Sequence, residues 1–214
     1  MQVEDKEVIL LKVSGQDKLG VTAGLSSILA TYDATILDIG QADIHDTLSL
    51  GILFEIKVGC TSGPVLKDLL FKAYELGVKV KFIPISIEDY EIWVKGQRKQ
   101  RYIINVLGET LTAVQLAAVT RILSNQNLNI DSIKRLTGRV SIIEKEEFPR
   151  SCIQLSVTGT IVDKTLMTAS FMEISRTLDV DISFQEDNMY RRNRRLVCFD
   201  MDSTLIQTEV IDEF

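Results

Sequence analysis

Hydrophobic residues in this chain change their spacing in a fixed order, and the order occurs twice. Ile9, Leu11 and Val13 alternate, the period of a half-buried strand. After Ser14-Gly15 the period lengthens. Leu25, Ile28, Leu29 and Tyr32 then fall on one face of a helix. Residues 34–44 read as a strand, Asp46-Thr47 as a turn, and Leu48, Leu50, Ile52, Phe54, Ile56 and Val58 as a long alternating strand. Thr61-Ser62-Gly63-Pro64 breaks the pattern and introduces a second helix with Leu66, Leu69, Leu70 and Ala73 on its face. Gly77 stands where a helix-terminating glycine is expected, and Val78, Val80 and Phe82 open a last strand.

The second pass starts at Arg101. Ile104 and Val106 lead to Gly108, followed by a helical face of Leu116, Val119 and Leu123. Residues 127–136 form a strand, Glu144-Lys145-Glu146-Glu147 a polar insert, and Ile153, Leu155 and Val157 the next strand. A stripe of Met167, Phe171, Ile174 and Leu178 precedes Val180, Ile182 and Phe184. Both halves therefore read β-α-β-β-α-β. Two amphipathic helices on one face of a small sheet bury both apolar stripes, which predicts an α+β chain with two ferredoxin-like domains in tandem. The expected boundaries are 1–90 for the first domain, 91–100 for a polar linker and 101–189 for the second domain. A basic hinge is expected at 190–195, followed by a further segment at 196–214.

Within the first half, Val13-Ser14-Gly15-Gln16-Asp17-Lys18-Leu19-Gly20-Val21 resembles the strand-to-helix loop of the ACT domain, a small amino-acid-binding module, and each half is similar to that family in element order. The chemistry of the loop can be stated independently. Glycine at a helix start lets backbone N–H groups approach a carboxylate, and an adjacent aspartate can hold an ammonium group. Asp17 and Gly20 are the candidate effector residues. The matching loop of the second half, Val106-Leu107-Gly108-Glu109-Thr110-Leu111, has no such aspartate. That half either packs as a partner or lends Gly108, the positional match of Gly15, to a site shared across an interface.

Composition bounds the remaining possibilities. Of 214 residues, 25% are charged, and the formal net charge of −6 argues against a nucleic-acid binder. No run of about 18 apolar residues predicts a membrane span. The acidic MQVEDKEVILL start is a poor signal peptide. The three cysteines, Cys60, Cys152 and Cys198, are odd in number and widely spaced. Two lie in apolar strand-like runs and are expected to be reduced and buried, and the protein is expected to be cytoplasmic. His45 is expected in a surface turn, Trp93 to anchor the linker with Tyr90, and Arg191, Arg192, Arg194 and Arg195 to form a solvated hinge.

The last stretch carries different chemistry. An apolar strand, Leu196-Val197-Cys198-Phe199, precedes Asp200-Met201-Asp202-Ser203-Thr204. Two carboxylates at i and i+2 after a buried strand sit where α/β enzymes hold ligands. An ionised Asp200 can attack phosphorus directly, with Asp202 moving the protons. Phe199-Asp200-Met201-Asp202-Ser203-Thr204-Leu205 resembles the first motif of the haloacid dehalogenase superfamily. The following Glu209-Val210-Ile211-Asp212-Glu213 is similar to its phosphoserine phosphatase branch.

That resemblance implies that Asp200 is the nucleophile and Asp202 the general acid/base. Mg²⁺ would be held by Asp200 and Asp202, and Glu209 would face the substrate amino group. It implies hydrolysis of O-phospho-L-serine in serine biosynthesis, with L-serine or another amino acid as effector of the tandem domains and a homodimer as the assembly. By the same resemblance, residues 196–214 are the start, with the first strand, of a truncated α/β haloacid dehalogenase-like catalytic domain. Fourteen residues after Asp200 cannot supply the remaining motifs, so this chain is expected to be a catalytically inactive fragment. The rival expectation is a stand-alone tandem amino-acid-sensing regulator.

Overall fold

A computed structural model describes residues 6–57, 62–96, 99–139, 141, 143, 150–188 and 190–191. The chain divides into two compact units, Met1–Arg98 and Lys99–Phe214. The first contains β1 (Glu7–Gln16), α1 (Val21–Thr31), β2 (Thr35–Ile44), β3 (Thr47–Ile56), α2 (Ser62–Leu76), β4 (Lys79–Ile85) and α3 (Ile87–Gly96). Its sheet has the order β2-β3-β1-β4 with every pair antiparallel. The alternation legible in β3 is real: Leu48, Leu50, Ile52, Phe54 and Ile56 are buried against Leu25 and Leu29 of α1 and Leu69 of α2. Full burial of each such side chain contributes about 1.5–3 kcal/mol, and this two-layer core is what the periodicity encodes.

Three local expectations shift. Helix α2 begins at Ser62, so Ser62-Gly63-Pro64 forms its first turn. A proline loses nothing there, because first-turn N–H groups have no helical partner. The buried face of α2 is Val65, Leu69 and Ala73, and Leu70 is 55% exposed. The polar linker expected at 91–100 is helical through Gly96, as the continuation of α3 from Ile87. Ser86 explains the helix. Its hydroxyl accepts from the Asp89 N–H at 3.0 Å, and Glu88, Asp89 and Lys95 are placed to suit the helix dipole. The Tyr90 and Trp93 rings lie 6.0 Å apart on α3, with Trp93 42% exposed and no residue of the helix buried.

The second unit repeats the plan with β5 (Arg101–Gly108), α4 (Ala113–Asn125), β6 (Leu128–Arg135), β7 (Ser151–Gly159), α5 (Lys164–Leu178) and β8 (Asp181–Glu186). Its sheet order is β6-β7-β5-β8. Ile104, Val106, Leu123, Leu155, Met167 and Phe171 form the core, and Tyr102 stacks on Phe184 at 5.2 Å. Even the irregularities recur. Each hairpin has a register shift at the same place, between Ile36 and Asp38 in the first sheet and between Ile130 and Ser132 in the second.

Helix ends follow the expected chemistry. Gly77 closes α2 with φ 71°, and Asp179 closes α5 with φ 52°. His45 (φ 60°) and Asp46 make the two-residue turn joining β2 and β3, with the His45 side chain 89% exposed as expected of a surface turn. Arg191 departs from the solvated hinge. It is only 20% exposed, lies 3.7 Å from the Asp187 carboxylate and donates to Gln154 Oε1 at 3.4 Å. No helix among the described residues is long and apolar enough to cross a membrane.

Candidate functional site

Strand β1 ends at Gln16, and four residues carry the chain to α1. The loop is fastened at both ends. The Asp17 N–H donates to Asp46 O of the β2–β3 turn at 2.7 Å, and Gly20 O accepts from the Gly24 N–H at 2.8 Å. Gly20 is the N-cap of α1 and has φ 91°. A Cβ there would meet no atom within 4 Å, so glycine is required by backbone conformation and not by space.

The decisive property of this helix start is that no side chain caps it. The first-turn N–H groups of Thr22 and Ala23 therefore open toward a hollow of about 420 Å³, lined by Asp17, Lys18, Gly20, Thr22 and Gln41 among others. That volume lies within the range of small-molecule sites. The hollow presents an anion-seeking helix end and a carboxylate side by side, the two halves of a zwitterion's counterpart. Thr22 Oγ1 donates to Gln41 Oε1 at 2.8 Å and fixes α1 against β2. Neither Thr22 nor Gln41 was a sequence candidate, because their meeting depends on the pairing of β2. Beside the loop, His45 Nδ1 and Asp46 Oδ1 are 2.7 Å apart. Hydrogen bonding to His45, then a backbone hydrogen bond and the His45 charge, holds the Asp46 carboxyl below its ordinary range.

The second unit closes the equivalent door. Thr112 caps α4 in a reciprocal box: the Gln115 N–H donates to Thr112 Oγ1 at 3.3 Å, and the Thr112 N–H donates to Gln115 Oε1 at 2.7 Å. Gln115 also donates through Nε2 to Leu178 O at 2.9 Å and is almost fully buried. Helix α5 is likewise capped, by Asp163 Oδ1 accepting from the Leu166 N–H at 2.9 Å. Donors that face a ligand hollow in the first unit are satisfied internally here. The sequence did carry the signal, Thr112 followed three residues later by Gln115. Thr112→Ala is expected to cost about 1 kcal/mol of stability, read as an earlier midpoint in urea unfolding.

Gly108 has a packing explanation. A Cβ on it would lie 3.3 Å from Val180 Cγ1 and from Thr110 O, just as one on Gly15 would lie 3.0 Å from Val78 Cγ1. The two glycines let β5 and β1 pass close to the residue that follows the second helix of each repeat. Asp200, Asp202 and Glu209 lie outside the described residues, as does the 192–214 segment that carries them. Among the described residues no group of three or more His, Cys, Asp or Glu side chains could hold a metal ion, so no donor set for Mg²⁺ can be assembled from them.

Family comparison agrees with this architecture. ACT domain models match residues 7–83 and 101–185. Each half is an ACT domain. The chain belongs with the tandem ACT-domain proteins, and solved structures share the fold. An unknown protein from Galdieria sulphuraria aligns with TM-score 0.68 and 16% identity, covering 86% of this chain and 100% of that one. A putative glycine cleavage system transcriptional repressor aligns with TM-score 0.55 and 12% identity, covering 86% and 98%.

In sequence, the tandem ACT chain is 32% identical over 213 residues to the phosphoserine phosphatase of Streptomyces coelicolor, covering 100% of this chain and 48% of that protein. It is 28% identical over 207 residues to phosphoserine phosphatase SerB2 of Mycobacterium tuberculosis, covering 97% and 47%. The chain spans about half the length of the curated relatives it matches.

Proposed function

We propose that the first ACT domain is an amino-acid effector site and that the chain is the regulatory portion of a phosphoserine phosphatase. The observation that carries the effector site is the uncapped start of α1 beside Asp17, set against the closed capping box of α4. In this reading the effector carboxylate takes the Thr22 and Ala23 N–H groups, and its ammonium group takes the Asp17 carboxylate. L-serine, the product of the proposed enzyme, is the first effector to test. Regulation follows only from unequal affinity for two conformations of the whole protein, and the effector shifts their populations by that difference. Gly108 enters this proposal as a residue of the second repeat that shapes its strand end.

The relation to phosphoserine phosphatases over the whole chain supports the catalytic part of the reading. Asp200 would attack the phosphorus of O-phospho-L-serine, forming an aspartyl phosphate as the phosphorus–serine oxygen bond breaks. Asp202 would give a proton to the departing serine oxygen and then take one from the water that releases phosphate. Glu209 would orient the substrate amino group. Mg²⁺, held by the Asp200 carboxylate and the Asp202 carbonyl, would offset the negative charge gathered at phosphorus. A cytoplasmic homodimer joined through an open sheet edge belongs to the same proposal, since among the described residues β2 and β4 each leave one side of the first sheet without a strand partner.

Calorimetric titration of the intact chain with L-serine tests the effector site. Asp17→Ala is expected to weaken binding about tenfold or more through loss of one charge-assisted contact, with an unchanged melting temperature. Equal affinity in Asp17→Ala and the wild type would remove the loop from the proposal.

A further inference from the structure

The face of the first sheet turned away from α1 and α2 carries a charge pattern that neither the fold nor the effector loop accounts for. In the β1–β4 ladder Lys12 stands directly opposite Lys81, and Ser14 opposite Lys79. In the β1–β3 ladder Lys12 stands opposite Gly51, and Ser14 opposite Ser49. Directly paired residues share a face, so two adjoining rows form: Gly51, Lys12 and Lys81, then Ser49, Ser14 and Lys79. Five of the six are exposed and Gly51 is half-exposed. They line a shallow hollow of about 490 Å³. Gly51 faces Gly40 on β2, so side chains are missing on one flank and the sheet surface lies open there.

Like charges directly opposite on neighbouring strands repel. Here the repulsion is uncompensated: among the described residues none of the three ammonium groups, and neither serine hydroxyl, makes a hydrogen bond or ion pair. The acids on this face, Asp38 and Glu55, sit in or beyond the row of Leu10 and Leu53. Asp38 Oδ1 already accepts from the Ile39 N–H at 2.9 Å, and Glu55 is paired with Lys6 at 2.8 Å.

Edge protection explains lysines on β4, which ends the sheet, but Lys12 lies on β1, an interior strand. Nor does the fold require the pattern. The corresponding positions of the second sheet hold Gln154, Asn105 and Ser183 in one row and Cys152, Leu107 and Asp181 in the other. A chain of net charge −6 thus gathers three unpaired cations and two free hydroxyls within two rows of one sheet.

We infer that this face is a second ligand site, specific to the first repeat, for a small phosphate dianion, either free phosphate or the phosphate group of a monoester. Three ammonium groups suit a dianion, and the paired hydroxyls of Ser14 and Ser49 supply neutral donors to its remaining oxygens. The hollow is of small-molecule size, and its cations span two rows, too few for the extended basic stripe of a nucleic-acid surface. The inference rests on these six residues and stands or falls separately from the effector loop at Asp17.

Amide-resolved NMR titration of the intact chain with inorganic phosphate, against sodium chloride at matched ionic strength, is the test. Saturable shifts are expected at Ser14, Ser49, Gly51 and Lys79. Half-saturation is expected to move about tenfold or more upward in Lys12→Gln/Lys81→Gln, and to move upward in Lys79→Gln alone. The double variant removes the opposed Lys12–Lys81 pair and should melt no lower than the wild type, and Lys79, exposed opposite Ser14, should be replaceable without loss of stability. O-phospho-L-serine is the second arm. Binding equal to inorganic phosphate identifies a site that reads phosphate alone, and tighter binding one that also reads the attached amino acid. The inference is overturned if phosphate gives no saturable shift, if chloride or L-serine reproduces the same shifts, or if the variants bind as the wild type does.

Discussion

Gly159→Ala is expected to unfold the second ACT domain at markedly milder conditions than the wild type, losing about 2–4 kcal/mol. Gly159 ends β7 opposite Leu128, with φ 145°, a conformation that residues bearing a Cβ rarely adopt. Its own N–H donates to Gln100 O at 3.0 Å, which holds the strand end in place. A Cβ built there would lie 2.5 Å from Asn127 O and 3.1 Å from Leu128 Cδ2. The first contact is with backbone, at a tight turn where Asn127 itself has φ 57°, so neither side can yield cheaply. Strain and clash add. Gly138→Ala is the matched control, because a Cβ on Gly138 meets no atom within 4 Å. Urea unfolding of both variants should separate them widely, and coincident curves would refute the assigned strain.

The other large effect concerns Asp200. On the proposed phosphatase reading, Asp200→Asn in the intact gene product is expected to reduce O-phospho-L-serine hydrolysis on the order of 10³-fold or more, while circular dichroism stays unchanged. An amide offers no anionic oxygen to attack phosphorus and cannot form the acyl phosphate. A chemical quench with labelled substrate should therefore trap a phosphorylated protein in the wild type and none in the variant. Asp202→Asn should behave differently, still forming the phosphorylated protein but slowing both its formation and the release of its phosphate, since Asp202 is assigned to proton transfer in both steps. Unaltered turnover in Asp200→Asn would separate this chain's tail from phosphatase chemistry. The ACT-domain architecture would stand regardless, because it rests on the folded halves themselves.

The fold was legible because its information is local. Leu48 through Ile56 alternate over one long strand, and a period of two admits a single buried face. Gly77 marked a helix end because its left-handed backbone favours glycine, and Gly20 marked a helix start for the same reason. Helix α3 was hidden for want of an apolar stripe: none of its residues is buried, and it is declared only by Ser86 capping Asp89. Leu70 misled for a related reason. It sits one position past the face that Leu69 occupies, and spacing alone cannot say where a stripe of leucines stops being covered.

Sequence by itself determined two βαββαβ halves, the glycines at their turns, and Asp17 with Gly20 at the first strand-to-helix loop. It did so because alternation, helical spacing and left-handed backbone are properties of neighbours along the chain. Tertiary structure decided which helix start stays open, since Gln115 reaches Leu178 O across the second unit. It alone brought Thr22 to Gln41, and Lys12 face to face with Lys81. Those meetings are set by strand register, which joins residues far apart in sequence, and no pattern read along the chain contains it.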